Sequence, residues 1–300
     1  MTSPPYFALR DYGVEGQLGL EPSFYEYLEK LCAIFDQVKR VLKPSGTCWV
    51  NLADSYGSRS GAKNEGFNKR WHGKQYNNDK QAPTDGTRPV RPKSSVPQKS
   101  LSLIPFRFAI EMVQRSWILR NVIVWQKPNC LPSSAKDRFT VDFEYLFFFT
   151  KSPRYYFKPQ REPHHFVTQQ RVEAFRRRGE SFDPTRHKCS KASQAPFRVL
   201  ENIARHGLNP FGRNKRCVWT ISTQAFRGRH FATFPEKLCE TPIKAGCPDG
   251  GIVLDPFFGA GTTGLVALKL NRQFVGIELN PEFVEMAKAR IASALKPGAG

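Results

Sequence analysis

The sequence predicts an α/β fold: a mostly parallel sheet with helices packed on it, an antiparallel hairpin at one edge, and two basic insertions. Three observations carry that prediction. Toward the C-terminus, an apolar strand (Ile252 to Asp255), a Gly-rich turn, a helix through Leu270 and a second strand (Phe274 to Glu278) follow in succession. That is the order of a Rossmann-like nucleotide-binding half-fold. Toward the N-terminus, an amphipathic helix, a tight turn and a buried strand make a second α/β unit. Between them, Asp142 to Thr150 and Arg154 to Phe157 read as two strands joined by Lys151-Ser152-Pro153, the expected hairpin.

Charge sets the basic insertions apart. Of the net +20, Gly57 to Ser100 holds ten Lys/Arg against three Asp/Glu, and Lys151 to His230 holds eighteen against five. The net +7 and +13 of these segments account for the whole excess, so the remaining scaffold is electrically balanced. A neutral scaffold with two basic insertions points to a polyanion partner, most simply nucleic acid. A soluble basic surface with no dedicated partner is the plainer alternative. At 40% hydrophobic and 13% aromatic the 300 residues bury a substantial core. The seven cysteines show no pair spaced by two residues, which excludes a zinc ribbon or redox pair. Their odd number fits a reducing compartment. There is no signal peptide and no apolar run of about 18 residues, so neither secretion nor a membrane span is expected.

Each element has a local cause. Ser23 caps the first helix, with Glu26 completing a capping box. Phe24, Tyr27, Leu28, Leu31, Phe35, Val38 and Leu42 recur on one face, and Pro44-Ser45-Gly46 ends the helix. Thr47 to Leu52 then reads as a buried strand delivering Asn51 and Asp54 to its C-terminal edge, where α/β sheets bind ligands. Loop capping and ligand contact are equally open for those two. Gly57 to Ser100 is rich in Gly, Asn, Lys and Arg, with Trp71 and Tyr76 among the charges. It reads as a long flexible loop, either ordered by DNA or an insertion without function. Leu101 to Trp117 is helical in period and Ile118 to Gln126 is a strand. Pro159 to Arg229 carries Arg176-Arg177-Arg178 and His164-His165; the arginines suit phosphate contacts, and the histidines lack a matching cluster for a metal. Helices from Glu236 to Ala245 and from Pro281 to Leu295 complete the set.

Two short stretches carry chemistry. In Ser3-Pro4-Pro5-Tyr6 the prolines fix the backbone and remove two N–H donors. Their carbonyls, a serine hydroxyl and an aromatic ring form an acceptor cup with a stacking plate, suited to an exocyclic base amine. An ordinary Pro-rich turn is the plainer reading. The second stretch, Gly259-Ala260-Gly261-Thr262-Thr263-Gly264, matches a dinucleotide fingerprint, with Glu278 closing the next strand on ribose hydroxyls. A dehydrogenase is disfavoured on three counts. Asp255-Pro256 would repel a pyrophosphate while suiting a cationic sulfonium cofactor, no second half-fold follows, and the basic insertions would be idle.

Taken together these motifs resemble the amino-methyltransferases of bacterial and phage DNA, in the circularly permuted (β) class where the catalytic motif precedes the cofactor motif. The likeness covers most of the chain. Ser3-Pro4-Pro5-Tyr6 matches the catalytic motif, and Trp125-Gln126-Lys127-Pro128-Asn129 and Phe143-Glu144-Tyr145 match strands of the catalytic half. His230-Phe231-Ala232-Thr233-Phe234-Pro235, the turn from Asp255 to Thr262, and Gly276-Ile277-Glu278-Leu279-Asn280 match the cofactor motifs. The resemblance implies S-adenosyl-L-methionine as cofactor, bound by His230, Phe231, Ala232, Phe234, Pro235, Asp255, Pro256, Phe257, Gly259, Gly261, Thr262, Glu278 and Asn280, and no metal. It implies a flipped base held against Tyr6, its amine bonded to Ser3 and the Pro4 carbonyl, with the nitrogen lone pair aimed at the sulfonium methyl. No cysteine lies in the Pro-Cys context of carbon-5 cytosine enzymes. Serine at position 3 is the usual mark of cytosine-N4 enzymes, with adenine-N6 transfer as the alternative; protein-glutamine methyltransferases begin the motif with Asn.

The organisation implied is a catalytic half (residues 1–56 and 101–158), the insertion 57–100, a target-recognition region 159–229 and a cofactor half 230–300. DNA contacts are expected at Lys69, Arg70, Arg176, Arg177 and Arg178. Double-stranded DNA is the implied partner, with room for a cognate restriction enzyme and a homodimer, in the cytoplasm of a bacterium or phage-infected host. One departure stands out: only Met1 and Thr2 precede Ser3, whereas the family places two strands there, and a strand needs about five residues. The expectation is a truncated chain with an incomplete sheet; an inactive DNA-binding remnant of the fold is the alternative.

Overall fold

The computed structural model describes residues 1–57, 96–178, 191–224 and 234–294. The chain divides into two compact units, Met1–Lys158 with Cys217–Gly300, and Pro159–Arg216. In chain order the first unit contains α1 (Phe24–Val41), β1 (Thr47–Leu52), α2 (Ile104–Gln114), β2 (Ile118–Gln126) and β3 (Phe143–Thr150). The second contains β4 (Arg161–Glu162), α3 (Phe166–Arg178), α4 (Lys191–His206) and β5 (Arg213–Asn214). The first resumes with β6 (Val218–Thr220), α5 (Glu236–Gly246), β7 (Ile252–Asp255), α6 (Thr262–Lys269), β8 (Gln273–Gly276) and α7 (Pro281–Ala294).

The main sheet runs β1-β3-β2-β6, with β3 antiparallel to both neighbours and β2 parallel to β6. Strand β3 reads Phe-Glu-Tyr-Leu-Phe-Phe-Phe-Thr, nearly continuous apolar sequence, because both of its faces are covered. Phe147 and Phe149 join Val50 and Leu52 under α1 and α2. Leu146 and Phe148 join Trp49 and Trp125 on the opposite face, against α5, β7 and α6. The period-2 alternation of side chains thus builds two cores on one sheet. Trp49 stacks on Phe148 at 4.0 Å between ring centres. Burying each such ring contributes about 2–3 kcal/mol.

Helix α1 begins as the sequence indicates, with Ser23 Oγ accepting from Glu26 N at 3.3 Å. Helix α2 has no cap of its own: Leu103 sits at its start with φ 57°, and no side chain of the helix bonds the first amides. Asp54 does so from a distance, its carboxylate accepting from Leu103 N at 2.9 Å and Ile104 N at 3.1 Å. Asp54 is therefore a cap, while Asn51 has another role, described below. Burial raises the Asp54 carboxyl above the usual range, and three main-chain N–H bonds oppose the shift.

The antiparallel pair differs from expectation. Residues 154–157 form no strand, and β3 pairs instead with β1 and, across the connection 127–142, with β2. The reason is packing. Tyr155 and Phe157 lie 5.8 and 5.7 Å from the Phe148 ring, while Tyr156 N donates to Ser45 O and Lys158 N to Ala245 O. Amides satisfied by the carbonyls of a turn and of the last turn of α5 are not available to a ladder. β7 and β8 form a separate parallel pair. Among the described residues, no helix is long and apolar enough to cross a membrane.

The second unit pairs α3 with α4 and β4 with β5. Val172 and Phe175 are its buried apolar residues on α3, and Arg176 Nε donates to Ala204 O at 2.8 Å. Glu162 accepts from Arg213 and Arg216 at 2.9 and 2.8 Å. Removal of the Asp54 cap (Asp54→Ala) is expected to cost about 1–2 kcal/mol of stability, read as a lower urea midpoint with an unchanged slope.

Candidate active site

The two motifs meet through residue 2. Thr2 N donates to Trp49 O at 3.0 Å and Asn51 N donates to Thr2 O at 2.9 Å, a parallel bridge to β1. Its side chain turns the other way, Oγ1 donating to Asp255 Oδ1 at 2.5 Å at the end of β7. The carboxyl ends of β1 and β7 therefore face the same edge, with Ser3 emerging between them. Open α/β sheets take their ligands at this edge.

At that edge Ser3 Oγ and Tyr6 Oη both approach Asn51 Oδ1, at 3.3 and 3.2 Å. Asn51 is almost fully buried, and its Nδ2 donates to Tyr145 O at 3.1 Å, which fixes the amide so that its oxygen faces the hydroxyls. Tyr6 Oη also donates to Glu144 Oε2 at 2.7 Å, and Glu144 is ion-paired with Lys127. Burial first, then the negative charge of Glu144, raises the Tyr6 phenol well above its ordinary range, so it stays protonated. The hydroxyl of Ser3 donates inward, so its lone pairs are left for an incoming donor.

The two proline carbonyls differ. Pro5 O accepts from Tyr27 Oη at 2.7 Å, so it is not the free acceptor that the sequence suggests. Among the described residues none donates a hydrogen bond to Pro4 O. The tetrapeptide thus presents one serine hydroxyl and one free carbonyl, with the Tyr6 ring beside them.

The Gly-rich turn is stitched from several sides. Asp255 is 1% exposed, its Oδ1 accepting from Thr2 and from Phe257 N at 3.0 Å. Burial raises its carboxyl, opposed by the N-terminal ammonium and these bonds. A carboxylate so enclosed holds the turn, with Oδ1 bonded to Thr2 and to Phe257 N. Glu278 is half-buried: Oε2 accepts from Gly259 N at 2.7 Å and Oε1 from Asn280 N at 2.9 Å. Gly259 and Gly261 have φ of 50° and 76°, conformations that glycine alone adopts freely. Phe258 stacks on Phe274 and fills the space above Gly264 and Gly276. Thr262 starts α6 and bonds Arg290, whose guanidinium also reaches Ala260 O and Glu236. Pro256 and Phe257 are half-buried, Pro235 starts α5, and Phe234 is half-buried before it.

His230, Phe231 and Ala232, and Lys69 and Arg70 with the insertion around them, lie outside the described residues. Arg176, Arg177 and Arg178 are exposed at the end of α3 in the second unit. His164 bonds Asn209 O and His165 bonds Val167 N. Burial pushes the Cys32 and Cys48 thiols up to about 12, and Cys239 further, so these are inert packing residues.

Sequence reasoning missed Lys127, Glu144 and Arg290 as site-building residues. Glu144 had a visible signal, a lone acid inside an apolar strand. The signal for Lys127 is its partner seventeen residues on, which no local pattern reveals.

Comparison with known proteins fits this geometry. The family model for N6/N4 DNA methylases matches residues 1–289. The type II methyltransferase M.Cfr9I of Citrobacter freundii is 40% identical over 293 residues, covering 97% of this chain and 80% of that protein. M.SmaI of Serratia marcescens is 37% identical, covering 97% and 82%. Among solved structures, the cytosine-N4-specific PvuII DNA methyltransferase superposes with a TM-score of 0.54 at 20% identity, covering all of this chain and 79% of the other. A protein described as a DNA modification methylase from Thermus thermophilus, complexed with S-adenosyl-L-methionine, gives 0.53 at 18% identity, covering 99% and 86%. At such identities the likeness speaks to the fold, an α/β methyltransferase sheet.

Gly276→Ala would drive a Cβ into the Phe258 ring, well inside van der Waals contact with its Cγ. Displacing that ring is expected to cost about 1–3 kcal/mol and to loosen the turn, seen as a lower thermal midpoint and earlier proteolysis near residue 259.

Proposed function

The chain belongs to the N6/N4 DNA methylase family, and on that premise we propose that it methylates the N4 amine of cytosine at a specific sequence in double-stranded DNA. S-adenosyl-L-methionine is the methyl donor. The observation that carries the reading is the pair of acceptors at the sheet edge: Ser3 Oγ, its proton committed to Asn51, and Pro4 O, free among the described residues. An exocyclic amine has two N–H groups, one for each acceptor. Both bonds draw the nitrogen toward tetrahedral geometry and localise on it the lone pair otherwise delocalised into the ring. The Tyr6 ring offers a stacking face for the flipped base, held in place by Asn51 and Glu144.

The cofactor half fits the group it would hold. Glu278 is half-buried, and each of its oxygens accepts one main-chain N–H, so it keeps lone pairs for ribose hydroxyls. Gly259 and Gly261 supply bare backbone in the turn after β7, and we assign Pro256, Phe257, Thr262, Asn280, Phe234 and Pro235 to the cofactor with them. When bound, S-adenosyl-L-methionine supplies an electrophilic methyl group on a cationic sulfur. The residues of this chain orient the amine, hold the turn and position the base, and positioning supplies much of the rate in such a transfer.

Cytosine is favoured over adenine because position 3 is serine, the residue that marks the cytosine-N4 enzymes this chain resembles. We assign DNA contact and target recognition to residues 159–229, on the exposed basic end of α3. The names of the type II relatives support a place beside a restriction enzyme. Labelled S-adenosyl-L-methionine and unmethylated DNA, with product nucleosides separated, should give N4-methylcytosine. Label in N6-methyladenine would overturn the choice of base, and no transfer would overturn the activity. Ser3→Ala should lower kcat at least about tenfold, the loss of one transition-state hydrogen bond, with cofactor affinity unchanged.

A further inference from the structure

We infer that the loop between β2 and β3 is a wedge that enters the DNA duplex, with Phe139 filling the gap left by the flipped base. The inference rests on the reading above and names a further DNA-contacting surface.

The loop leaves the sheet at Lys127 and returns just before Glu144, the ion pair that holds Tyr6. Its ends are closed, Lys127 N donating to Asp142 O at 2.7 Å. Further out, Ser133 N donates to Thr140 Oγ1 at 3.3 Å, closing a tip of six residues. The tip is braced from outside: Lys99 pairs with Asp137 at 2.6 Å, and the Arg138 guanidinium lies 3.5 Å from the Tyr56 ring centre. Beside that anchor, Phe139 is 96% exposed. Leu131 and Val141 of the same loop are exposed as well, so the fastened loop presents several apolar side chains to water, as a contact surface does.

The neighbours select the partner. Lys136 and Arg138 precede the ring in the same tip and are exposed, the charge complement of a phosphate backbone. A protein that extrudes a base must compensate lost stacking, and apolar side chains inserted between base steps do so. The braced tip presents one such side chain just after two exposed basic residues, on the loop that joins the strand ends of β2 and β3.

The test begins by mapping the methylated sequence on an unmethylated plasmid. Methyl transfer by wild type and Phe139→Ala is then compared on a matched duplex and on one with an abasic nucleotide opposite the target. The alanine variant should lose about tenfold or more in kcat/KM on the matched duplex, the order of an uncompensated unstacking. It should recover on the abasic duplex, where extrusion is easier. Phe139→Trp should stay near wild type. Equal rates for alanine variant and wild type on the matched duplex would overturn the wedge, as would an equal loss on both duplexes. A wild type that methylates no DNA would overturn the proposed function itself, a different result from an active wild type indifferent to Phe139.

Discussion

Everything at the site depends on Thr2. Its main chain pairs with β1, and its hydroxyl bonds Asp255 at 2.5 Å. One residue thereby connects the edge of β1 beside Ser3 with the Gly-rich turn that follows β7, the two places to which we assign the amine and the cofactor. Asp255 is buried and its carboxyl is raised by burial, so its hydrogen bonds offset a desolvation cost that would otherwise favour an open, disordered turn. The buried Asp255 fastens the turn, and Glu278 is half-buried with one main-chain N–H bonded to each oxygen.

The second constraint is the direction of hydrogen bonds around Asn51. A serine hydroxyl both donates and accepts. Only when its proton is committed does it act as an acceptor alone. Asn51 Oδ1 takes that proton, and the bond from Asn51 Nδ2 to Tyr145 O prevents the amide from turning over. Tyr6 and Glu144 extend the chain to Lys127, so the orientation of Ser3 is secured by β1, β2 and β3 together. The sheet order β1-β3-β2 makes this possible, because it places Asn51, Glu144 and Lys127 at one edge.

Much of this was legible in the sequence where the cause is local. Helix α1 follows from its apolar period and Ser23, and the glycine turn from its spacing and the strand before it. The acceptor motif at Ser3 and Pro4 is likewise local, since proline removes its own donor. Pro5 shows the limit: its carbonyl is occupied by Tyr27, twenty-two residues away. The hairpin expected at residues 154–157 failed for the same reason, the amide of Tyr156 bonding to Ser45 and that of Lys158, just beyond, to Ala245. Asn51 and Asp54 looked alike from sequence and diverged in the structure, one toward Ser3 and the other to the start of α2. Partner choice across long separations is set by the whole sheet and leaves no local signature.

The central claim is that Thr2 couples the two halves of the site, and Thr2→Val tests it most directly, since valine keeps the main-chain pairing and removes the hydroxyl. Calorimetric titration with S-adenosyl-L-methionine, beside urea unfolding, is the measurement. The account predicts weaker cofactor binding by about tenfold, the worth of one buried hydrogen bond to a carboxylate, in a protein that still unfolds cooperatively. Binding equal to wild type, with Asp255 deprived of its partner, would contradict it.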